Sequence, residues 1–165
     1  MSQTTLDIKE PGLNVLPPGV ERHVVNAGGL TGLQIFPDDE IEIINDEGNQ
    51  ICEIICFDKD GKSELGILNQ KENCKKSFIK ELLKGKDESS LITNLQLKKR
   101  NLDINKSKSS ILFDEQTPSG EKIKIKSKDK CYVIFAAPQN NMLVSEQNPS
   151  SDLTLFIKRN KIVND

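Results

Sequence analysis

Short apolar runs separated by turn-forming residues are the feature that most constrains how this chain can fold. Four runs follow one another at a spacing of about ten residues, which is typical of the strands of a β sandwich or barrel. Glycine, proline, asparagine and aspartate lie between the runs and favour turns there. The predicted strands are Val20 to Val25, Leu30 to Phe36, Glu40 to Ile43 and Ile51 to Phe57.

The clearest of the turns is Asp46-Glu47-Gly48-Asn49-Gln50. Glycine and asparagine adopt positive φ angles readily, so this segment predicts a hairpin between the apolar runs Ile41 to Ile44 and Ile51 to Phe57. The second run is apolar at every position except Glu53. We therefore expect it to form a strand that is covered on both faces.

The middle of the chain predicts helices. Asn73 to Lys84 has apolar residues at helical spacing, with Asn73 placed to cap the start and Gly85 to close the end. Leu91, Ile92 and Leu95 predict a second short helix, capped by Ser89 or Ser90. From Leu102 to Glu115 the sequence shows no clear period.

Strand patterns return after Gly120. Lysines at 122, 124 and 126 alternate with Ile123 and Ile125, which predicts an edge strand whose lysines oppose aggregation. Cys131 to Ala137 predicts a buried strand, and Asp152 to Lys158 predicts the last one. The patterns together predict a mainly β (α+β) fold, an antiparallel β sandwich or barrel with one or two short helices.

Length and charge limit the classes of partner. The 165 residues suffice for a single domain, 1–165, with a core at about residues 20–158. The net charge of -2 gives no overall field to attract nucleic acid or an anionic membrane. No apolar segment approaches the roughly 20 residues needed to span a bilayer, and no signal peptide is evident, so we expect a cytoplasmic protein.

Few residues are candidates for chemistry. Cys52 and Cys56 point to one face of a predicted strand, where buried free thiols are favoured over a zinc site, and Cys131 is expected to pack in the core. Cys74 opens the predicted helix, where it is either a half-buried packing residue or an activated nucleophile or ligand. His23 is the only histidine, which excludes a site of several imidazoles. Glu53, an acid on a covered strand, must be paired, coordinate a ligand or titrate.

Three segments resemble the urea carboxylase-associated domain family. Asp46 to Phe57 is similar to its turn and acid-bearing strand, with Glu53 at the acid position, and Cys74 to Leu82 is similar to its segment of a cysteine, a basic residue, a phenylalanine and a helix. Ala136-Ala137-Pro138-Gln139 and Gln147-Asn148-Pro149 are similar to its closing elements. The resemblance implies the first domain of a longer protein whose remainder is a folate-binding aminomethyltransferase module. Trimethylamine N-oxide demethylases are among the proteins with this arrangement.

In that family the resemblance implies a metal held by cysteines and a methylated amine as substrate. This chain has Ala137 where the family has a cysteine, and of the implied metal-binding cysteines it keeps Cys74 alone. A structural zinc site needs four protein ligands and a catalytic one needs three. Our hypothesis is therefore a domain that has kept its fold, has lost most of its metal site and serves in scaffolding, oligomerisation or binding of the folate module.

Two alternatives stay open. In one, Cys74 and Glu53 converge with His23 or Cys131 and bind iron or zinc in an enzyme that cleaves a C–N bond of a small methylated amine. In the other, a β barrel binds a small molecule without catalysis, beside Glu53. The predicted ligand-binding residues are Glu53, Cys74, Gln50 and Gln139, with tetrahydrofolate expected only through a fused or partner module.

Overall fold

The computed structural model describes residues 15–139 and 150–161, and within these ranges a pair of antiparallel four-stranded sheets forms a β sandwich. The predicted fold class is confirmed. The strands are β1 (Val20–Val25), β2 (Leu30–Ile35), β3 (Glu40–Asn45), β4 (Cys52–Asp58), β5 (Ser109–Phe113), β6 (Glu121–Lys126), β7 (Cys131–Ala136) and β8 (Leu153–Lys158). The helices are α1 (Phe78–Leu82) and α2 (Glu88–Lys99), and two short 3-10 turns span Leu65–Leu68 and Ile104–Lys106.

The strand order is β1-β8-β3-β6 in the first sheet and β2-β7-β4-β5 in the second. Alternate residues of each strand point between the sheets and form the main core. Ile41 and Ile43 meet Leu155 of the neighbouring strand there, opposite Ile54 and Phe135 of the second sheet. All five are completely buried, so the period-two pattern of the sequence directly reports the interior face.

A second apolar cluster covers the outer face of the second sheet. Ile55 and Phe57 of β4 pack with Ile134 of β7 against Ile79 of α1 and Leu97 of α2. β4 is therefore buried on both faces, as its unbroken apolar run predicted. This arrangement places Glu53, which shares a face with Ile55, on the side of the sheet where the helices lie.

The predicted hairpin at residues 46–50 is wrong. Gly48 and Asn49 do adopt positive φ angles of 78° and 60°. However, β3 lies in the first sheet and β4 in the second, so the turn carries the chain across the sandwich. A Cβ atom at Gly48 would lie 2.6 Å from the backbone nitrogen of Ser119, which explains the glycine by close packing as well as by φ.

Both predicted helices begin elsewhere. α1 starts after Ser77, whose side chain accepts a hydrogen bond from the Lys80 N–H, and not at Asn73. The Asn73 side chain instead bonds the backbone N–H and C=O of Ile111 in β5. α2 is longer than predicted and is capped by Asp87, not by Ser89 or Ser90.

The region 102–115 contains a strand that the sequence did not predict, β5. The predicted edge strand is confirmed, because β6 is the last strand of the first sheet and its lysines face away from the core. The predicted strands at 131–137 and 152–158 are also confirmed. Within residues 15–139 and 150–161, no helix is long and apolar enough to cross a membrane. The Gln147-Asn148-Pro149 motif lies outside these ranges.

Candidate functional site

Glu53 is the second residue of β4, and its carboxylate is completely buried at the start of α1. One carboxylate oxygen accepts hydrogen bonds from the backbone N–H groups of Phe78 (2.7 Å) and Ile79 (3.1 Å). The other accepts one from the Ser77 hydroxyl at 2.5 Å. Since the first N–H groups of a helix have no partner within the helix, Glu53 supplies their acceptors from a strand.

The environment of Glu53 acts on its pKa in both directions. Burial raises the pKa, because the charged form loses its hydration. Hydrogen bonds from Ser77 and Ser109 and from the backbone of Ile79 and Phe78 lower it, and the net result is a raised pKa. The carboxyl group is thus held in place by donors of the protein itself.

Cys74 does not lie on α1. Its backbone forms an isolated β-bridge with Ser109, and its thiol donates to the Lys76 carbonyl oxygen at 3.1 Å. The predicted activation by a helix N-terminus is therefore wrong, because α1 begins only at Phe78. The side chain is half-buried, as expected for a packing residue.

The other sulfur and imidazole groups lie elsewhere in the fold. His23 is on β1 of the first sheet and contacts Glu21 at 3.0 Å. Cys131 lies in the core between the sheets, as do Cys52 and Cys56, which are buried free thiols as predicted. Burial raises the pKa of the Cys52 thiol, which keeps it protonated.

The resemblance implied a metal held by cysteines, and the enzyme alternative named it as iron or zinc; the described residues do not fit either metal. Both oxygens of Glu53 already accept hydrogen bonds from α1 and its cap. Within 15–139 and 150–161, no three His, Cys, Asp or Glu side chains are grouped so that they could hold a metal ion. Cys74 and Glu53 are therefore not supplemented there by the further ligands that a zinc site requires.

The buried side chain of Gln50 links distant segments of the chain through hydrogen bonds. Its amide nitrogen donates to the carbonyl oxygens of Pro138 (2.7 Å) and Ile51 (2.9 Å), and its amide oxygen accepts from the Ser151 N–H (2.7 Å). The structure thus brings together Gln50 and the Pro138-Gln139 motif, although Gln139 itself is exposed. Binding of a ligand by Glu53, Cys74, Gln50 or Gln139 stays a prediction.

The sequence did not predict a basic cavity that lies beside Ser77, the residue whose hydroxyl donates to Glu53. The cavity measures about 460 Å³, and four lysines line it, with Ser77, Glu81 and Asn94 among the other lining residues. Lys80 donates to the Ser107 carbonyl oxygen at 3.2 Å, and Lys84 pairs with Glu81 at 3.3 Å. The repeat of lysine at 76, 80 and 84, four residues apart, was the available sequence signal. The four lysines are Lys75, Lys76, Lys80 and Lys84.

No protein-family model matches the chain, so membership of the urea carboxylase-associated family is not confirmed. The chain is similar to trimethylamine-oxide aldolase of Ruegeria pomeroyi, with 34% identity over 152 residues. The aligned region covers 92% of this chain and 19% of that protein. The chain therefore spans about a fifth of the length of the curated relative that it matches.

Proposed function

We propose that this chain is a non-catalytic domain of a system that converts trimethylamine N-oxide or another methylated amine. Its work is to act as a scaffold, to support oligomerisation or to bind a folate-binding aminomethyltransferase module, fused or separate. The observation that carries the proposal is the 152-residue similarity to trimethylamine-oxide aldolase, which accounts for only 19% of that protein. The remaining four fifths leave room for a catalytic module.

The surroundings of Glu53 support a non-catalytic role. A general base or a metal ligand needs an oxygen that can reach a substrate or an ion. Here both oxygens of the Glu53 carboxylate accept hydrogen bonds from Ser77, Phe78 and Ile79, and the Glu53 side chain has no exposed surface. In this proposal Glu53 holds α1 on the sheet, and tetrahydrofolate binds to the partner module.

The first test is metal content by elemental analysis of protein purified without chelator, together with consumption of trimethylamine N-oxide followed by NMR. We expect less than stoichiometric iron and zinc and no consumption by the chain alone. Cys74→Ser is the decisive variant, and Cys52→Ser, which changes a core thiol, is its control. Stoichiometric metal that disappears only in Cys74→Ser would overturn the proposal in favour of the enzyme.

The second test is isolation of the tagged chain from the cells that produce it, with identification of co-purifying proteins by mass spectrometry. We expect a protein that contains an aminomethyltransferase module, either separate or as the continuation of the same polypeptide. If the chain is isolated without such a protein, the proposed link to folate chemistry fails.

A further inference from the structure

Helix α2 presents three of its four leucine and isoleucine side chains to solvent. Leu91, Ile92 and Leu95 are 51%, 52% and 66% exposed. The inward face of the same helix carries Leu97, which is 5% exposed, together with Ser90 and Thr93, which are 1% and 2% exposed. A surface helix normally has most of its apolar residues inward and its polar residues outward. We call Leu91, Ile92 and Leu95 the apolar stripe.

Hydrogen bonds fix the orientation of α2. The Ser90 hydroxyl donates to the Leu82 carbonyl oxygen at 2.6 Å, and the Asn94 amide donates to the Leu83 carbonyl oxygen at 2.8 Å. These bonds satisfy carbonyl groups at the end of α1 that have no partner within that helix. At the start of α2, the Ser89 hydroxyl accepts from the Leu30 N–H at 3.2 Å. A rotation that buried the apolar stripe would break all of these bonds.

The apolar stripe adjoins the lysine cavity. Asn94 follows Leu91 by three residues, so it neighbours Leu91 at the border of the stripe, and it also lines the cavity. Lys98 and Lys99 are exposed in the last turn of α2 and extend the positive charge along the other end of the stripe. In a chain of net charge -2, this is a local concentration of positive charge beside exposed apolar surface.

We infer that the apolar stripe and the lysine cavity form one docking surface for the catalytic module of a trimethylamine N-oxide-converting system. This inference rests on the proposed function and names the surface through which that function operates. The complementary face on the module has an apolar centre flanked by acidic side chains. A centre of apolar contacts with a charged rim is the usual anatomy of a specific protein interface.

Two observations favour this occupant. The relative has about four fifths of its length outside the matched region, so its counterpart of this domain has other protein to pack against. The charge beside the stripe is the second observation: the four lysines of the cavity favour an occupant that carries acidic side chains around an apolar centre. Like charges juxtaposed across an interface are strongly unfavourable, so a basic partner is disfavoured.

The test compares Leu91→Gln/Leu95→Gln with the wild type. Glutamine is a good helix former, and both positions are exposed, so the fold should be retained, as circular dichroism and thermal melting can verify. Val15→Gln is the matched control, because Val15 is an exposed apolar residue (91%) outside α2. Each tagged full chain is incubated with an extract of the cells that encode it, and captured proteins are identified by mass spectrometry.

We expect the wild type and Val15→Gln to capture a protein that aligns with the region of trimethylamine-oxide aldolase outside the match. Titration calorimetry with that purified protein should give a dissociation constant about tenfold or more higher for Leu91→Gln/Leu95→Gln. Lys76→Glu should weaken binding as well, and less so at high salt, because its contribution is electrostatic.

Other results overturn the inference in distinguishable ways. Equal capture of that protein by the wild type and Leu91→Gln/Leu95→Gln would refute the docking surface and leave the proposed function standing. If the wild type captures no such protein and no such module continues the same polypeptide, the proposed function fails as well. A dimer in analytical ultracentrifugation that dissociates in the double variant would make a second copy the occupant. If the wild type binds vesicles of phosphatidylcholine and phosphatidylserine and the double variant does not, the occupant of this surface is a membrane and not a protein.

Discussion

Glu53 connects a strand and a helix through one carboxylate, so its removal should affect stability more than most surface changes. In Glu53→Ala, the N–H groups of Phe78 and Ile79 lose their acceptor inside the protein. We expect a loss of about 3 kcal/mol in the free energy of unfolding, measured by urea denaturation. Glu53→Gln keeps one oxygen for these groups and should lose about 1 kcal/mol. Equal losses in the two variants would contradict the capping role.

The raised pKa of Glu53 predicts a specific pH dependence. Its usual value is 4.5, and burial raises the pKa in the folded protein. The folded state therefore holds the proton more tightly, and the associated stability is present below pH 4.5 and is lost as the pH rises through the folded pKa. We therefore expect the unfolding free energy of the wild type to fall relative to that of Glu53→Gln as the pH rises from 4.5 through the folded pKa. A difference independent of pH would refute the raised pKa.

Gly32 is required by a neighbouring aromatic ring. A Cβ atom at this position would clash with the hydroxyl and the ring of Tyr132. We expect Gly32→Ala to destabilise the protein by about 2 kcal/mol, because overpacking forces the ring to shift. Thermal unfolding provides the measurement.

The same pair offers a control for Gly32→Ala. The Tyr132 hydroxyl is buried and has no hydrogen-bond partner among the described residues. Tyr132→Phe should therefore be neutral or stabilising by about 1 kcal/mol. In the double variant the loss of the Tyr132 hydroxyl oxygen, the atom nearest to the added Cβ, should offset some of the alanine's effect. Additive losses in the double variant would show that the two residues do not clash.

At the level of elements, alternation of apolar residues was sufficient to predict most strands. The strand that the sequence did not predict depends on contacts with a distant segment. β5 begins with Ser109 and Ser110, and pairing with β4 makes it a strand. The turn at Gly48 and Asn49 had the predicted backbone, but its local sequence does not specify which sheet the next strand joins.

The candidate site shows the same limit. Glu53 was recognisable as a single acid in an apolar run. Its partners, the first N–H groups of α1, lie about 25 residues further along the chain and meet it only through tertiary packing. Asn73 was misassigned as the cap for the same reason, because its side chain binds β5. Local propensity is a weak prior where such contacts compete.

The cap of α2 provides a test at this scale. The Asp87 carboxylate accepts a hydrogen bond from the Ser90 N–H at 3.2 Å. Asp87→Ala should lose about 1 kcal/mol in the free energy of unfolding by urea, whereas Asp87→Asn should be nearly neutral because asparagine caps comparably. Equal losses in both variants would indicate that the negative charge matters and not the hydrogen bond.

At the level of the whole molecule, Arg159 joins both sheets. Its guanidinium pairs with Glu21 at 2.9 Å and Asp39 at 2.7 Å, and it donates to the Gln34 carbonyl oxygen at 2.9 Å. The hydrogen bond from Arg159 holds the pKa of Glu21 below its usual value. The network closes one end of the sandwich after the last strand.

Loss of Arg159 should therefore be costly. Asp39 is 1% exposed, and Arg159→Met would leave its carboxylate buried without this cation. We expect a loss of about 3 kcal/mol in the free energy of unfolding, measured by urea denaturation. Arg22→Met, at an exposed position on β1, is the control and should change stability by less than about 0.5 kcal/mol. Similar values for the two variants would refute the role of the network.

The strand order has a consequence for synthesis. β8 lies between β1 and β3, and the Arg159 N–H donates to the Gly19 carbonyl oxygen beside the start of β1. A ribosome makes β1 and β3 long before β8, so until β8 is made the backbone groups of both strands that face it have no strand partner. The second sheet has all four of its strands once Ala136 has been made, and the first sheet is completed only after Lys158.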